Sequence, residues 1–333
     1  MGTLKKFLSH VEMVKISCAD TTDIVEQARK IHGLNPTPTA ALGRVLTMGV
    51  LMGTMMKNET DKLTLQILGD GPIGSILVTA KSNGDVKGYV SNPLAEADLK
   101  PNGKLNVSAV VGKGELRIIR DIGVGNPYVG TVPLQTGEIA EDFAYYFATS
   151  EQIPTVVALG VLVNKDGSVK KAGGYILQTL PDTPEEILAL IEKRVSESKP
   201  ITEMLESGMT LEEIATYISD DLNTFMVEDM TIQWKCDCSK ERMEEAILSL
   251  GKKEITELSK DENVETVCHF CNAKYNFSKE EIEKMINEAQ KTTYWTIVFV
   301  AAIIFKNELN FNYWISLVKS RISKNKIKKC LIF

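Results

Sequence analysis

Residues 75–90, SILVTAKSNGDVKGYV, place two β-rich runs, Ser75–Ala80 and Val86–Val90, on either side of Ser82-Asn83-Gly84. Asn-Gly between such runs predicts a tight antiparallel hairpin, because both residues tolerate positive φ. Lys165-Asp166-Gly167 predicts a second hairpin, between Val156–Val163 and Val169–Gln178. A loosely alternating run, Leu63–Leu68, adds a strand before the first hairpin, and Glu138–Ser150 reads as a helix between the two. Antiparallel pairs mixed with isolated helices predict an α+β fold rather than a regular βαβ series.

Upstream, Asp20–Gly33 predicts a helix with Ile24, Ala28 and Ile31 on one face and Gly33 as its stop. Pro38 opens a second apolar helix running to about Met56. Its length is marginal for a membrane span, and Arg44 lies within it, so a buried core helix is expected. Residues 1–180 are therefore expected to form an N-terminal core domain of β-sheets with flanking helices.

The composition shifts at Pro181. From Pro181 to Met230 thirteen acidic residues face three basic ones, yet the segment keeps helix signals. Thr183-Pro184-Glu185-Glu186 and Thr210-Leu211-Glu212-Glu213 read as capping boxes. Apolar stripes follow each: Ile187, Leu190, Ile191 and Val195, then Ile214, Tyr217 and Ile218. Helices this narrow and self-repelling depend on a packing partner, and residues 181–231 read either as a solvated helical linker or as a regulated linker that passes between order and disorder. The expected partner is the small domain that follows.

That domain, residues 232–291, carries Cys236-Asp-Cys238 and Cys268-His-Phe-Cys271, 29 residues apart. Two close-set thiol pairs flanking a short helical insert are a zinc pattern, with one Zn²⁺ held by Cys236, Cys238, Cys268 and Cys271. His269 reads as a bystander. Ser239 caps a helix bearing Met243, Ile247 and Leu250, with Gly251 as its stop. Tyr275 and Phe277 supply core, and Ser278 with Glu281 caps a helix bearing Ile282, Met285 and Ile286. Lys235, Lys240, Arg242 and Lys274 are candidates to moderate the charge of four thiolates. So thin a core needs a metal staple. Each pair is also placed to close a local disulfide, Cys236–Cys238 or Cys268–Cys271, and so release the metal. An inert zinc-stapled knob fits the spacing as well.

The length of 333 residues, 44% hydrophobic and 25% charged, suits two globular domains, or one with a satellite. The net charge of -6 disfavours nucleic acid as the main partner. The first residues form no secretory signal, and Lys6 breaks a myristoylation motif at Gly2. A reducing, cytoplasmic location is expected, in which cysteines serve metal or redox chemistry.

The sequence resembles the 33-kDa heat shock protein family over about residues 1–290. The resemblance rests on GRVLTMGVLMGTMMK from Gly43, GDGPIGSILVTAKSNGDVKGYVSNP from Gly69 and GTVPLQTGEIAEDFAYYFATSEQIPTVVALGVLV from Gly130. It continues in AGGYILQTLP from Ala172, WKCDCSKERMEEAILSLG from Trp234 and CHFCNAKYNF from Cys268. The resemblance implies a chaperone that is off when reduced and zinc-bound. Peroxide with heat, or hypochlorous acid, then oxidises Cys268 and Cys271, followed by Cys236 and Cys238. Metal loss unfolds the small domain and the linker, and a homodimer holds unfolding client proteins without ATP. No GxxxxGK[ST] phosphate loop is present, and no enzyme activity is expected.

A thiol–disulfide oxidoreductase and a zinc-dependent nucleic-acid module are the competing classes. The first is disfavoured by the late position of C-x-x-C, the second by the acidic balance. Cys18 reads as a buried small hydrophobe in a core strand. Residues 292–333 form an atypical tail, with seven basic residues against one Glu from Lys306 onward and a terminal Cys330-Leu-Ile-Phe333 that only weakly suggests prenylation. The tail reads as a read-through or altered-frame extension, with a membrane tether as the alternative; otherwise no membrane partner is expected.

Overall fold

The computed structural model describes residues 1–9, 13–181, 183–219 and 222–287, so the tail and Cys330 lie outside the described residues. The chain begins with β1 (Gly2–Ser9), β2 (Val14–Asp20), α1 (Thr22–His32) and α2 (Pro36–Gly53). Next come β3 (Lys62–Gly69), β4 (Ser75–Lys81), β5 (Asp85–Val90), α3 (Val107–Val111), β6 (Gly114–Asp121) and β7 (Tyr128–Pro133). α4 (Ala140–Tyr146) runs into a π-helical turn, Phe147–Glu151, before β8 (Thr155–Val163) and β9 (Val169–Thr179). α5 (Glu185–Glu197), α6 (Ile201–Glu206) and α7 (Leu211–Ser219) lead into β10 (Thr224–Trp234). The last elements are α8 (Lys240–Ser249), α9 (Lys252–Leu258), β11 (Asn263–Val267) and β12 (Lys274–Ser278), with a further helix from residue 279 to 287.

Contacts divide the chain into two compact units. One is Met1–Asp237 with His269–Asn272; the other is Cys238–Cys268 with the residues from Ala273 onward. The first unit is built on a ten-stranded sheet, ordered β7-β6-β3-β4-β5-β10-β1-β2-β9-β8. Both expected hairpins are present, with Gly84 at φ 84° and Gly167 at φ 85°. Asn83 does not share the positive φ expected of it. The loop is the three-residue kind that needs only its last residue left-handed, and Asn83 Oδ1 accepts instead from Asp85 N at 3.0 Å.

α2 is the core helix expected from its composition. Nearly all its side chains are buried, and it packs on both halves of the sheet. Gly49 permits the approach, since a Cβ there would lie 2.8 Å from Val78 Cγ1. Arg44 leaves this apolar helix by bonding Glu138 Oε2 at 2.9 Å.

α5, α6 and α7 lie on another face of the sheet. Their apolar residues Ile191, Ile201, Met204, Leu205, Leu211, Ile214 and Ile218 cluster with Phe7, Val14, Ile16, Cys18, Tyr175 and Leu177. This departs from the expected partner: among the described residues, the apolar stripes of the acidic helices pack on the sheet of their own unit. The sheet also answers their charge. Lys5 bonds Glu212 of α7 at 2.5 Å and Lys170 pairs with Glu206 of α6, while on β10 Asp229 bonds Lys5 at 3.0 Å and Glu228 bonds Lys6 at 2.7 Å. The Thr210–Glu213 capping box is present, with Glu213 N donating to Thr210 Oγ1 at 3.2 Å and Thr210 N to Glu213 Oε2 at 2.7 Å. Thr183 is no cap; its hydroxyl donates to Leu180 O at 2.7 Å, one residue outside the helix entry at Pro184. Cys18 is fully buried, as expected, and burial pushes its thiol pKa up.

The second unit has a core of Ile247, Ile255, Val264, Phe277, Ile282 and Met285. Ser239 caps α8, its Oγ accepting from Arg242 N at 3.3 Å. Ser278 and Glu281 form the expected reciprocal cap. Leu250 does not join the core and is 53% exposed. Gly251, at φ 93°, turns the chain directly into α9.

Glu138 joins three elements, since Lys100 bonds it at 2.6 Å and Ser108 N donates to it at 3.1 Å in addition to Arg44. Burial pushes its carboxyl pKa up, but the bonds from Lys100, Arg44 and Ser108 outweigh that and hold it at about 2. A folded-state value below the unfolded one of roughly 4.3 stabilises above that pH and is lost as pH falls toward 2. The contribution is on the order of 2–3 kcal/mol at neutral pH. Acid titration of Glu138→Gln should therefore lose less stability between pH 4 and 2 than the parent, measured by denaturant melts at each pH.

Candidate metal centre

The two cysteine pairs are fixed by the backbone on either side of them. The last residues of β10, Gln233 and Trp234, pair in parallel with Asp85 and Val86 of β5. Lys235 N extends the pairing by donating to Val86 O at 3.0 Å. Cys236 follows at once, and Cys238 stands immediately before Ser239, the cap of α8. The second pair occupies the turn between β11 and β12. Cys268 N donates to Ala273 O at 2.9 Å, and Asn272 takes the left-handed φ of 58° that reverses the chain.

These turns bring Cys236, Cys238, Cys268 and Cys271 together, with all four Sγ atoms within 4.8 Å of one another. Cys268 is buried and the other three are half-buried. A metal at about 2.3 Å from each of four tetrahedral sulfurs would place them about 3.8 Å apart. The observed cluster fits that cage. The set is all sulfur, with no carboxylate or imidazole among the converging atoms, which suits zinc or an iron–sulfur centre and not a hard cation. Four protein ligands complete a tetrahedron and leave no open position for a substrate.

Outside the ligands, Tyr275 Oη donates to Cys238 Sγ at 3.1 Å. The sequence reading gave Tyr275 only a core role. A tyrosine in a short strand carries no sign that its hydroxyl aims at a sulfur 37 residues earlier. His269 is not among the converging ligands; its ring stacks on Tyr89, with centroids 5.5 Å apart. Three of the lysines considered for charge balance go to carboxylates: Lys235 to Asp85 at 3.2 Å, Lys240 to Glu281 at 2.7 Å and Lys274 to Glu265 at 3.0 Å. Instead, Lys81 and Lys87, on the β4–β5 hairpin, bond the two oxygens of Asp237 at 3.0 and 2.5 Å.

The model of the family described as Hsp33 protein matches residues 2–278. The chain belongs to the Hsp33 family. It is 50% identical over 287 residues to the 33 kDa chaperonin of Caldanaerobacter subterraneus subsp. tengcongensis, covering 86% of this chain and 98% of that one. It is 48% identical over 283 residues to the 33 kDa chaperonin of Clostridium perfringens, covering 84% and 89%. The crystal structure of the 33 kDa chaperonin from Thermotoga maritima superposes with a TM-score of 0.80 at 36% identity, covering 87% of this chain and 99% of that one. Membership of the Hsp33 family makes this chain a chaperone, which is not an enzyme class. Among the described residues, no helix is long and apolar enough to cross a membrane.

Hydrogen bonds to ligating atoms commonly carry about 10–100-fold in metal affinity. Tyr275→Phe should weaken zinc binding by about tenfold, read by competition with a chromophoric chelator, while the far-UV spectrum of the zinc-loaded protein stays unchanged.

Proposed function

We propose that the chain is a redox-regulated holding chaperone. In the reduced state Cys236, Cys238, Cys268 and Cys271 hold one Zn²⁺ and the protein is inactive. Disulfides Cys236–Cys238 and Cys268–Cys271 release the metal and loosen the redox-switch domain, residues 232–291, and the linker, residues 181–231. The oxidised protein, a homodimer in the cytoplasm, then holds unfolding proteins on its 1–180 core without ATP.

The observation that carries this reading is the convergence of two vicinal thiol pairs on one cage. Bound Zn²⁺ would supply about 10–16 kcal/mol of apparent binding free energy, much of it as folding free energy. The second unit has little else, with only six buried apolar residues in its described core. A pair closed as a disulfide has no thiolate to offer. For each pair, two thiolates give up two electrons to a peroxide O–O bond, forming one S–S bond. With two protons taken up, the peroxide leaves as two waters. The C-x-C ring is small and strained, so its disulfide is the more readily reduced.

Release of α5–α7 would uncover Phe7, Val14, Ile16, Tyr175 and Leu177 on the sheet together with the helices' own stripes, a surface suited to unfolded chains. The oxidoreductase reading loses ground on geometry. The Cys268–Cys271 turn joins two strands, not a strand to a helix N-terminus that would lower a thiol pKa.

Peroxide at heat-shock temperature should remove one zinc and four thiols per chain. Cys18, sealed beneath the linker helices, should become open to alkylation in step with suppression of client aggregation. A zinc-free, doubly bridged protein that kept Cys18 protected and residues 181–287 resistant to protease would sink the reading.

A further inference from the structure

We propose that Lys87 is a positioning residue that ties the two cysteine pairs together, so that a change at one pair loosens the hold on the other. The inference rests on the redox-switch reading above and adds to it the device that couples the two pairs.

Lys87 is mostly buried, and its Nζ lies 2.5 Å from Asp237 Oδ1 and 4.7 Å from the centroid of the Phe270 ring. Asp237 is the residue between Cys236 and Cys238, and Phe270 is one of the two between Cys268 and Cys271. One ammonium therefore touches the intervening residue of both pairs. Two residues along β5, Tyr89 stacks on His269 and meets Phe270 edge-on, with centroids 5.2 Å apart in the second case. Lys81 takes the other oxygen of Asp237 at 3.0 Å, and Asn272 Nδ2 donates to Ile31 O at 2.7 Å. All these residues belong to the first unit.

The physics favours a clamp over ordinary packing. A cation over an aromatic face gains most when water is kept out, and so does a lysine–carboxylate pair. Each contact of Lys87 shields the other. Closing Cys268–Cys271 draws two sulfurs to about 2.05 Å and tightens the turn that carries Phe270. Phe270 then leaves Lys87, water enters, and the Lys87–Asp237 pair falls to the small value of an exposed one. The C-x-C turn then loses part of its hold on β5, and the cage loosens at Cys236 and Cys238.

The test uses the full-length zinc-loaded protein and three substitutions. Lys87→Met keeps the stem and removes the charge, Lys87→Arg keeps the charge, and Asp237→Asn acts from the other partner. Without oxidant, zinc transfer to a chelator should be about tenfold faster in Lys87→Met and Asp237→Asn, and near parental in Lys87→Arg. The double variant K87M/D237N should be no faster than either single one. Under limiting peroxide, mass spectrometry should find Cys236–Cys238 bridges forming severalfold faster in Lys87→Met than in the parent. Transfer within twofold of the parent in both single variants, or additive rates in the double one, would overturn the clamp. So would Cys236–Cys238 bridging at equal rates in Lys87→Met and the parent. If the parent bridges both pairs and keeps its zinc, the switch reading fails instead, and the oxidant-free rates still judge the clamp.

Discussion

Four sulfur atoms within 4.8 Å of one another cannot all be thiolates unless a cation lies among them. At about 4 Å two like charges repel by about 4 kcal/mol at an effective dielectric of 20, and four sulfurs make several such pairs. The cage is therefore a conditional structure. On the proposed reading it is drawn together as thiolates by the metal and takes up protons and loses that cohesion without it, and everything built on β11, β12 and α8 inherits that condition. On the same reading the second unit has little packing to put in the metal's place, because its described core is six buried apolar side chains drawn from a surface crowded with Glu and Lys.

The acidic helices pose the opposite problem. Their repulsion is answered by the sheet: Lys5 and Lys170 pair with Glu212 and Glu206, and one apolar cluster holds all three helices. Glu212 is held below the usual carboxylate range chiefly by its bond to Lys5. What connects these helices to the cysteines is the chain itself. α7 leads into β10, whose last two residues pair with β5 and whose next residue but one is Cys236. On the proposed reading, a change at the cage thus reaches the helices through a strand of the main sheet.

Much of this was legible in the sequence wherever the signal was local. Both Gly-containing hairpins, the buried α2, the caps at Thr210, Ser239 and Ser278, and the four converging cysteines depend on neighbours a few residues apart or on strong spacing. Long-range features were not legible. β10 reads TFMVEDMTIQW, and its Glu and Asp made it look like the end of an acidic linker. It is a strand because β1 and β5 offer edges on either side of it, which no local pattern records. β1, β6 and β7 were missed for the same reason. Thr183 looked like a cap, but Met13 O and Leu180 O compete for its hydroxyl. Tyr275 and Lys87 gave no sign at all, since their partners lie far off in the chain.

The residues between the cysteines are the natural place for such partners. A thiolate engaged with a metal has little left to offer the rest of the fold, and any strong contact to it alters the site itself, as the Tyr275 hydroxyl on Cys238 would. Asp237, His269 and Phe270 are under no such restriction. They move with the ligands yet are free to touch β5, where Lys87 and Tyr89 meet them. A sensor needs its chemistry at the cysteines and its mechanical linkage one atom chain away, so that holding the metal and reporting its loss do not compete for the same lone pairs. In C-x-C the single intervening position leaves room for one such linkage. An acid there, clasped by two lysines from a rigid hairpin, makes that linkage an ionic one, strong while shielded from water and weak once it is wetted.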